Sequence, residues 1–158
     1  MNLIRVDDRL IHGQVSVGWG TRINPEYMII ANDEIASDPG TGELYLLGVP
    51  DGVKGAAIPV SEVKNYLGKL KKASYILVLS SIQDALRLLE SGFEYTELNI
   101  GGMHDSEGRH EINHYVFLLE EDIKALEELM KKGVRITVQD LPTNRKYDAE
   151  YIMNKWKI

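Results

Sequence analysis

Apolar and polar positions alternate along the chain with two different periods, and each period predicts one type of element. Short runs of apolar and β-branched residues predict strands at 1–6, 27–31, 52–60, 75–79, 97–100 and 134–138. Apolar residues at helical spacing predict helices at 14–20, 61–67, 82–90, 120–132 and 148–157. Because strands and helices alternate, we expect an α/β fold: an open, mainly parallel, twisted sheet of about six to seven strands with helices on both faces. The chain shows no linker or repeat, which predicts a single domain over residues 1–158.

Individual residues indicate how several helices begin and end. Ser61 is expected to cap the helix at 61–67, and Gly133 should end the helix at 120–132. In the helix at 82–90, the residues expected to face the core are Ala85, Leu86 and Leu89.

The helix after the second strand should be interrupted. Asp33 and Glu34 follow that strand and can cap a helix or take part in a site. The segment 37–42 then brings a proline and two glycines, which should end or split the helix. The residues at 43–48 would then form a separate turn.

The loop between the first strand and the first helix carries the strongest candidate chemistry. His12 can be a neutral nucleophile near neutral pH and can carry a covalent group on a ring nitrogen. Arg9 offers a planar set of donors that suits phosphate oxygens, and either Asp7 or Asp8 could hold the imidazole tautomer. Backbone amides from Gly13 and Gln14 onward could face a phosphate at a helix start. These residues predict a phosphohistidine site, although a strand-end histidine beside a surface Arg9–Asp8 ion pair has the same composition.

Further polar and small residues follow other predicted strands and should meet at the same sheet edge. Ser80 and Ser81 follow the fourth strand, where a hydroxyl could reach a phosphate on His12 or simply cap the next helix. Gly101 and Gly102 follow the fifth strand, where paired glycines allow close backbone approach and positive φ angles; they could border a bound phosphate or form a plain tight turn.

Composition excludes several classes of function. The chain contains no cysteine, which removes disulfides, cysteine-ligated zinc and a thiolate nucleophile. The formal net charge of -6 argues against non-specific nucleic-acid binding, which needs a basic face. The apolar runs are too short to span a bilayer and the N-terminus lacks a signal-peptide pattern, so we expect a cytoplasmic protein.

The histidines after the glycine pair do not form a convincing metal site. His104, His110 and His114 are spaced by six and four residues, but their surroundings are predicted to be extended and carry no dense acid cluster. We therefore expect no metal and no cofactor. Arg109, in the same polar segment, could supply a second charge that steers a phosphate.

The string Asp7 to Val15, DDRLIHGQV, resembles the active-site loop of the mannose/fructose/sorbose-type IIB subunits of the bacterial phosphoenolpyruvate-dependent sugar phosphotransferase system. The string 98–103, LNIGGM, resembles that family's Asn-x-Gly-Gly-Met, which borders the phosphate loop, and an Asp-Glu pair like Asp33-Glu34 lines the family's cleft. Since other IIB classes carry phosphate on cysteine, histidine is the available carrier here. The interruption at 37–42 departs from the family pattern.

The resemblance implies a phosphotransferase whose His12 is phosphorylated on Nδ1 by a phosphorylated IIA protein. It implies that the group then passes to a sugar bound by the IIC and IID permease subunits, so the carrier would associate peripherally with the membrane. Mannose, fructose and sorbose-like hexoses are candidate sugars, and a homodimer is left open.

Three other functions remain compatible with the sequence. A regulatory phosphoacceptor would use the same site without sugar transport. A phosphatase or mutase of the histidine type would turn over a small phosphoester, but its usual Arg-His-Gly string is absent because Leu10 and Ile11 separate Arg9 from His12. A ligand-binding module without catalysis would leave His12 unlabelled by any phosphodonor.

Overall fold

Apolar strands build a seven-stranded sheet at the centre of the fold. The computed structural model describes residues 1–157. The strands are β1 (Leu3–Asp7), β2 (Tyr27–Ala31), β3 (Lys54–Ile58), β4 (Tyr75–Leu79), β5 (Glu97–Gly102), β6 (His110–Asn113), β7 (Val116–Leu118), β8 (Arg135–Val138) and β9 (Tyr147–Asp148). The sheet has the order β3-β2-β4-β1-β5-β8-β9, and all its pairings are parallel except that of β8 with β9. β6 and β7 form a separate antiparallel hairpin. The expected mainly parallel sheet is confirmed.

Helices cover the sheet on both faces. The helices are α1 (Gly20–Ile23), α2 (Asp33–Ser37), α3 (Pro39–Leu46), α4 (Val63–Gly68), α5 (Ile82–Glu90), α6 (Glu120–Lys131) and α7 (Ala149–Trp156). A π-helix (Gln14–Trp19) leads directly into α1, and a 3-10 turn (Val60–Glu62) leads into α4. Of the helices within residues 1–157, none is long and apolar enough to cross a membrane.

The strand period of two divides the core into two layers. In β2, Ile29 and Ala31 lie in the layer under α4, α5, α6 and α7. Met28 and Ile30 point the other way, into a layer with Val15 and Trp19 of the π-helix. Strands that are buried on both faces must be continuously apolar, which is why β2 and β4 show no alternation of polar residues.

The interruption after β2 is confirmed, but its form differs from the prediction. Asp38 is extended and lies between α2 and α3, and Pro39 is the first residue of α3. The Asp38 carboxylate accepts hydrogen bonds from the backbone N–H and the hydroxyl of Thr41, at 3.4 and 2.9 Å. Gly40 and Gly42 lie within α3, so the predicted turn at 43–48 is wrong. The Asp38 cap and the proline in the first turn stabilise the helix by more than the two glycines destabilise it.

The predicted cap at Ser61 is also wrong. Ser61 is not a cap, because it lies inside the 3-10 turn, and the N–H of Val60 instead donates to the distant Asp33 carboxylate at 2.9 Å. In α5 the fully buried residues are Ile82, Ala85 and Leu88, and the expected Leu86 and Leu89 are partly buried and pack against the same core. The predicted stop of α6 is confirmed, since Gly133 adopts a φ of +90°.

Candidate functional site

A buried ion pair lies at the end of β1, directly beneath the loop that carries the histidine. Arg5 and Asp7 are two residues apart on one face of the strand, and both side chains are fully buried. Arg5 Nη2 donates to Asp7 Oδ2 at 3.0 Å, while Nη1 donates to Asn99 Oδ1 at 2.8 Å and to the Gln139 carbonyl at 3.1 Å. These bonds offset the cost of removing both charges from water, and they fix the carboxylate in one position.

The glycine pair provides the space that this ion pair occupies. Gly101 and Gly102 lie inside β5, and neither has a positive φ, which rules out the alternative of a plain tight turn. A Cβ at Gly101 would lie within 3.0 Å of three guanidinium atoms of Arg5, and one at Gly102 would lie 3.0 Å from Asp7 Oδ1. The expected close approach is therefore real, but it is made to buried side chains of β1.

Asp7 fixes the tautomer of His12. Nε2 of the imidazole lies 2.8 Å from Asp7 Oδ2, and only 19% of the His12 side chain is exposed. Burial raises the pKa of the Asp7 carboxyl, but the hydrogen bond from His12 and the charge of Arg5 outweigh it, so that this pKa lies below its usual value. An ionised carboxylate can only accept, which places the proton on Nε2 and leaves the lone pair on Nδ1. In this arrangement Nδ1 is the ring nitrogen of His12 with a free lone pair.

The loop holds this geometry in a strained conformation. Leu10 has a φ of 59° although it is not a glycine, and its N–H bonds the Asp7 carbonyl at 2.9 Å. Its side chain is buried, which compensates for a strain of about 1 to 3 kcal/mol. The His12 carbonyl accepts from the N–H groups of Val15 and Ser16 and from the Ser16 hydroxyl, at 3.0, 2.8 and 2.9 Å. Both ends of the loop are thereby tied to regular structure.

Arg9 lies at the surface beside Asp7, the residue that contacts the imidazole of His12. Its backbone N–H donates to Asp7 Oδ1 at 3.1 Å, and its Nε lies 3.6 Å from the same oxygen. Nη2 donates to Gln14 Oε1 at 2.9 Å, and 39% of the side chain is exposed. The guanidinium is thus positioned by two partners yet accessible to an anion. Gly13, at the start of the π-helix, faces open space.

Asp8 does not contact His12. Its carboxylate accepts from the backbone N–H of His104 at 2.9 Å, from the ring Nδ1 of His104, and from Arg109 Nη1 at 3.4 Å. The sequence left Asp7 and Asp8 as alternatives for holding the imidazole, and the structure gives that contact to Asp7. Asp8 and Arg109 belong to a second cluster around His104.

The polar residues at the ends of β2 and β4 are occupied with structural contacts. Asn32, and not Asp33 or Glu34, caps α2, and its Nδ2 donates to Ser80 Oγ at 2.9 Å. Asp33 Oδ2 pairs with Arg87 Nη2 at 2.7 Å. The hydrogen bond from the Val60 N–H and this contact with Arg87 lower the pKa of Asp33. Ser81 caps α5 by accepting from the N–H of Asp84 at 3.1 Å. Of the two expectations for Ser81, the structure therefore agrees with helix capping.

Several residues that hold the site were missed by sequence reasoning. Arg5, Asn99 and Gln139 form the buried network under Asp7, and Trp19 donates from Nε1 to the Asp140 carbonyl at 2.7 Å while its ring lies 5.7 Å from the Arg5 guanidinium. The one available signal was an arginine in the middle of an apolar strand. Such a charge needs a buried partner, and the residue two positions later is an acid.

The three histidines after β5 have separate surroundings. His104 is paired with Asp8, the Nε2 of His110 lies 3.3 Å from the Lys155 carbonyl, and the ring of His114 packs edge-on against Tyr115. In the described range, 1–157, no group of three or more histidine, aspartate or glutamate side chains is arranged to hold a metal ion.

The sequence and the fold both match one family of proteins. A family model described as the PTS system sorbose subfamily IIB component matches residues 1–158. The fructose-specific EIIB component of Bacillus subtilis is 32% identical over 157 residues, covering 97% of this chain and 96% of that protein. The mannose-specific EIIAB component of Escherichia coli K12 is 31% identical over 157 residues, covering 98% of this chain, and the chain spans 49% of that relative's length.

Solved structures agree with this match. The IIBSor domain of the sorbose permease from Klebsiella pneumoniae has a TM-score of 0.89 and 28% identity, covering 97% of this chain and 95% of that one. A structure titled phosphoenolpyruvate-dependent phosphotransferase system also has a TM-score of 0.89, with 32% identity and 98% coverage of both chains.

Proposed function

Because the chain belongs to the sorbose subfamily of IIB components of the phosphotransferase system, we propose that it is a phosphohistidine carrier. His12 accepts a phosphoryl group on Nδ1 from a phosphorylated IIA protein and passes it to a sugar held by the IIC and IID permease subunits. The observation that carries the proposal is the contact of Asp7 with Nε2, since this contact leaves Nδ1 as the free nucleophile.

Acceptance requires little covalent help from the protein. The Nδ1 lone pair attacks phosphorus in line with the bond to the donor nitrogen, and that bond breaks as the new P–N bond forms. The ring becomes positively charged when it carries the group, and the ionised Asp7 stabilises that charge through Nε2–H. Arg5 lies behind Asp7 and keeps it ionised, so the buried pair supports the reaction without touching phosphate.

Arg9 and the first backbone amides of the π-helix balance the charge of the phosphoryl group. Gln14 holds the Arg9 guanidinium at the surface, where its remaining donors suit equatorial phosphate oxygens. Gly13 and Gln14 begin the helix, where N–H groups have no partner earlier in that helix. Gly101 and Gly102 take part indirectly, by making room for Arg5 and Asp7. Ser80, Ser81 and Asp33 are given no contact with phosphate, because their side chains are engaged by Asn32, the Asp84 N–H and Arg87.

The partners follow from the relatives. The name of the Escherichia coli relative, EIIAB, supports a IIA donor, and the names mannose-, fructose- and sorbose-specific support a hexose acceptor. The reaction would then be that of a protein-phosphohistidine–sugar phosphotransferase, with the carrier meeting its permease at the cytoplasmic side of the membrane.

The test is labelling of the purified protein. Incubation with phosphoenolpyruvate, enzyme I, the carrier protein HPr and a mannose-type IIA should add one acid-labile phosphate by intact mass, and the coupling of ³¹P to ¹⁵N in the ring should identify Nδ1. His12→Ala should abolish labelling. His110→Ala is the matched control, because the Nε2 of His110 lies 3.3 Å from the Lys155 carbonyl and the change should not affect labelling.

Each outcome has a definite meaning. Full labelling of His12→Ala would refute the assignment of the acceptor, and labelling at Nε2 would refute the role of Asp7. Absence of labelling with an active IIA would refute the carrier function. Labelling that never reaches a sugar when permease subunits are supplied would leave a phosphoacceptor and overturn the transport role.

A further inference from the structure

Two adjacent carboxylates of the loop, those of Asp7 and Asp8, contact two different histidines. Asp7 contacts Nε2 of His12, whereas Asp8 contacts Nδ1 of His104 and also accepts from the His104 backbone N–H at 2.9 Å. Arg109 Nη1 donates both to Asp8, at 3.4 Å, and to the His104 carbonyl, at 2.6 Å. Asp8, His104 and Arg109 therefore form one connected cluster, in which the guanidinium of Arg109 contacts both other residues.

The two carboxylates select opposite tautomers. Since an ionised carboxylate only accepts, Asp8 places the proton of a neutral His104 on Nδ1 and leaves the lone pair on Nε2. More than half of the His104 side chain is exposed, at 55%, so Nε2 is accessible. The arrangement of carboxylate, imidazole and free nitrogen is that of a general base held by an acid, as in a hydrolase triad.

His104 lines the same cleft as Arg9. The cleft has a volume of about 430 Å³, and Gln14, Tyr115 and Phe117 also form its walls. Arg9 also contacts Asp7, the residue that holds His12, so the cleft shares a wall with the residues that support the phosphoryl site. Burial and the nearby Asp140 raise the pKa of Tyr115 to about 12, which leaves its hydroxyl neutral and unsuited to be the base.

The two transfers of the proposed function have different proton requirements. Acceptance moves the phosphoryl group from one imidazole nitrogen to another, and no proton has to leave the attacking group. Delivery moves it to a hydroxyl oxygen, whose proton must be taken up as the O–P bond forms. A second histidine with a free lone pair is useful only for delivery.

Building on the proposed function, we propose that His104 is the general base of phosphoryl delivery and that the acceptor hydroxyl enters this cleft. The hydroxyl oxygen bonds to phosphorus as the P–Nδ1 bond of His12 breaks, and the bonding electrons return to Nδ1. The hydroxyl proton passes to Nε2 of His104, and Asp8 stabilises the imidazolium until the proton is lost to water. Asp8 and Arg109 are positioning residues.

The test uses isolated protein that has been phosphorylated by IIA and then separated from it, with glycerol and water as hydroxyl acceptors. Loss of the phosphate and formation of glycerol phosphate report delivery, and transfer back to unphosphorylated IIA reports nitrogen-to-nitrogen transfer in the same sample. His104→Gln should slow delivery by about 10² while changing transfer to and from IIA by less than about twofold. Asp8→Asn should show the same pattern with a smaller loss.

His110→Gln is the matched control, because His110 lies 3.3 Å from the Lys155 carbonyl and does not line this cleft. It should deliver at the wild-type rate. Three results would each overturn the inference: equal delivery by His104→Gln and wild type, an equal loss of both kinds of transfer, or the same loss of delivery in His110→Gln. Failure of the proposed function is distinguishable, since the wild-type protein would then not be labelled at all.

Discussion

Gly101→Ala should lower the free energy of unfolding, because the new methyl group takes the space of the buried Arg5 side chain. The added Cβ would lie within 3.0 Å of Cζ, Nη1 and Nε of Arg5. The φ of Gly101 is not positive, so the backbone itself would accept alanine. The entire cost should therefore come from the clash with the guanidinium.

The magnitude follows from what Arg5 must give up. It is fully buried and cannot move without loosening its contacts to Asp7, Asn99 and the Gln139 carbonyl, at 3.0, 2.8 and 3.1 Å. Breaking a buried ion pair costs about 3 to 5 kcal/mol. For a chain of this length, the midpoint of thermal unfolding should fall by roughly 6 to 20 °C.

The assay is urea denaturation followed by circular dichroism, with thermal scans at equal concentration. Gly68→Ala is the matched control, since a Cβ added at Gly68 would have no atom within 4 Å. Its free energy of unfolding should stay within about 1 kcal/mol of wild type. A double-mutant cycle with Arg5→Ala isolates the clash. In the Arg5→Ala background, Gly101→Ala should cost little.

Two results would refute the reasoning. A loss of less than about 1 kcal/mol in the wild-type background would show that the strand relaxes around the new methyl group. A full loss in the Arg5→Ala background would show that the cost does not come from the guanidinium. The labelling rate of His12 should fall together with stability, because the same displacement disturbs Asp7.

Three further changes test the site around His12. Arg9→Ala should slow labelling by about 10² to 10³ with little change in stability, because its side chain is partly exposed; stopped labelling reactions and urea midpoints check this, and an unchanged rate would remove Arg9 from the site. Asp7→Asn should lower stability by about 3 kcal/mol at pH 7, since it leaves Arg5 unpaired. Because folding lowers the pKa of Asp7, the contribution of its carboxylate to stability is present above about pH 4 and disappears as pH falls through the folded pKa. The urea midpoints of Asp7→Asn and wild type should therefore converge in acid. A gap between them that does not change with pH would contradict this link between the charge of Asp7 and stability. Ser80→Ala should leave the labelling rate within about twofold and cost about 1 kcal/mol, because its hydroxyl serves the Asn32 side chain; a large loss of labelling would return Ser80 to the phosphate.

Local patterns were sufficient for most of the fold. Continuous apolar runs predicted β2 and β4, and helical periodicity predicted α5 and α6, since these signals depend on neighbours a few residues apart. Caps were less predictable. Ser61 has the right residue type for a cap, but the carboxylate that accepts the nearby N–H comes from Asp33, at a sequence separation of 27.

The sequence by itself determined the order of strands and helices and the candidate chemistry of the His12 loop, because both lie in contiguous residues. Only the tertiary structure decided which acid holds His12, why two glycines follow Ile100, and that a second histidine is paired with Asp8. Arg5 and Asn99 are 94 residues apart, and Asp8 and His104 are 96 apart. Contacts over such separations arise when parallel strands bring their ends to one edge of the sheet, and no local pattern records them.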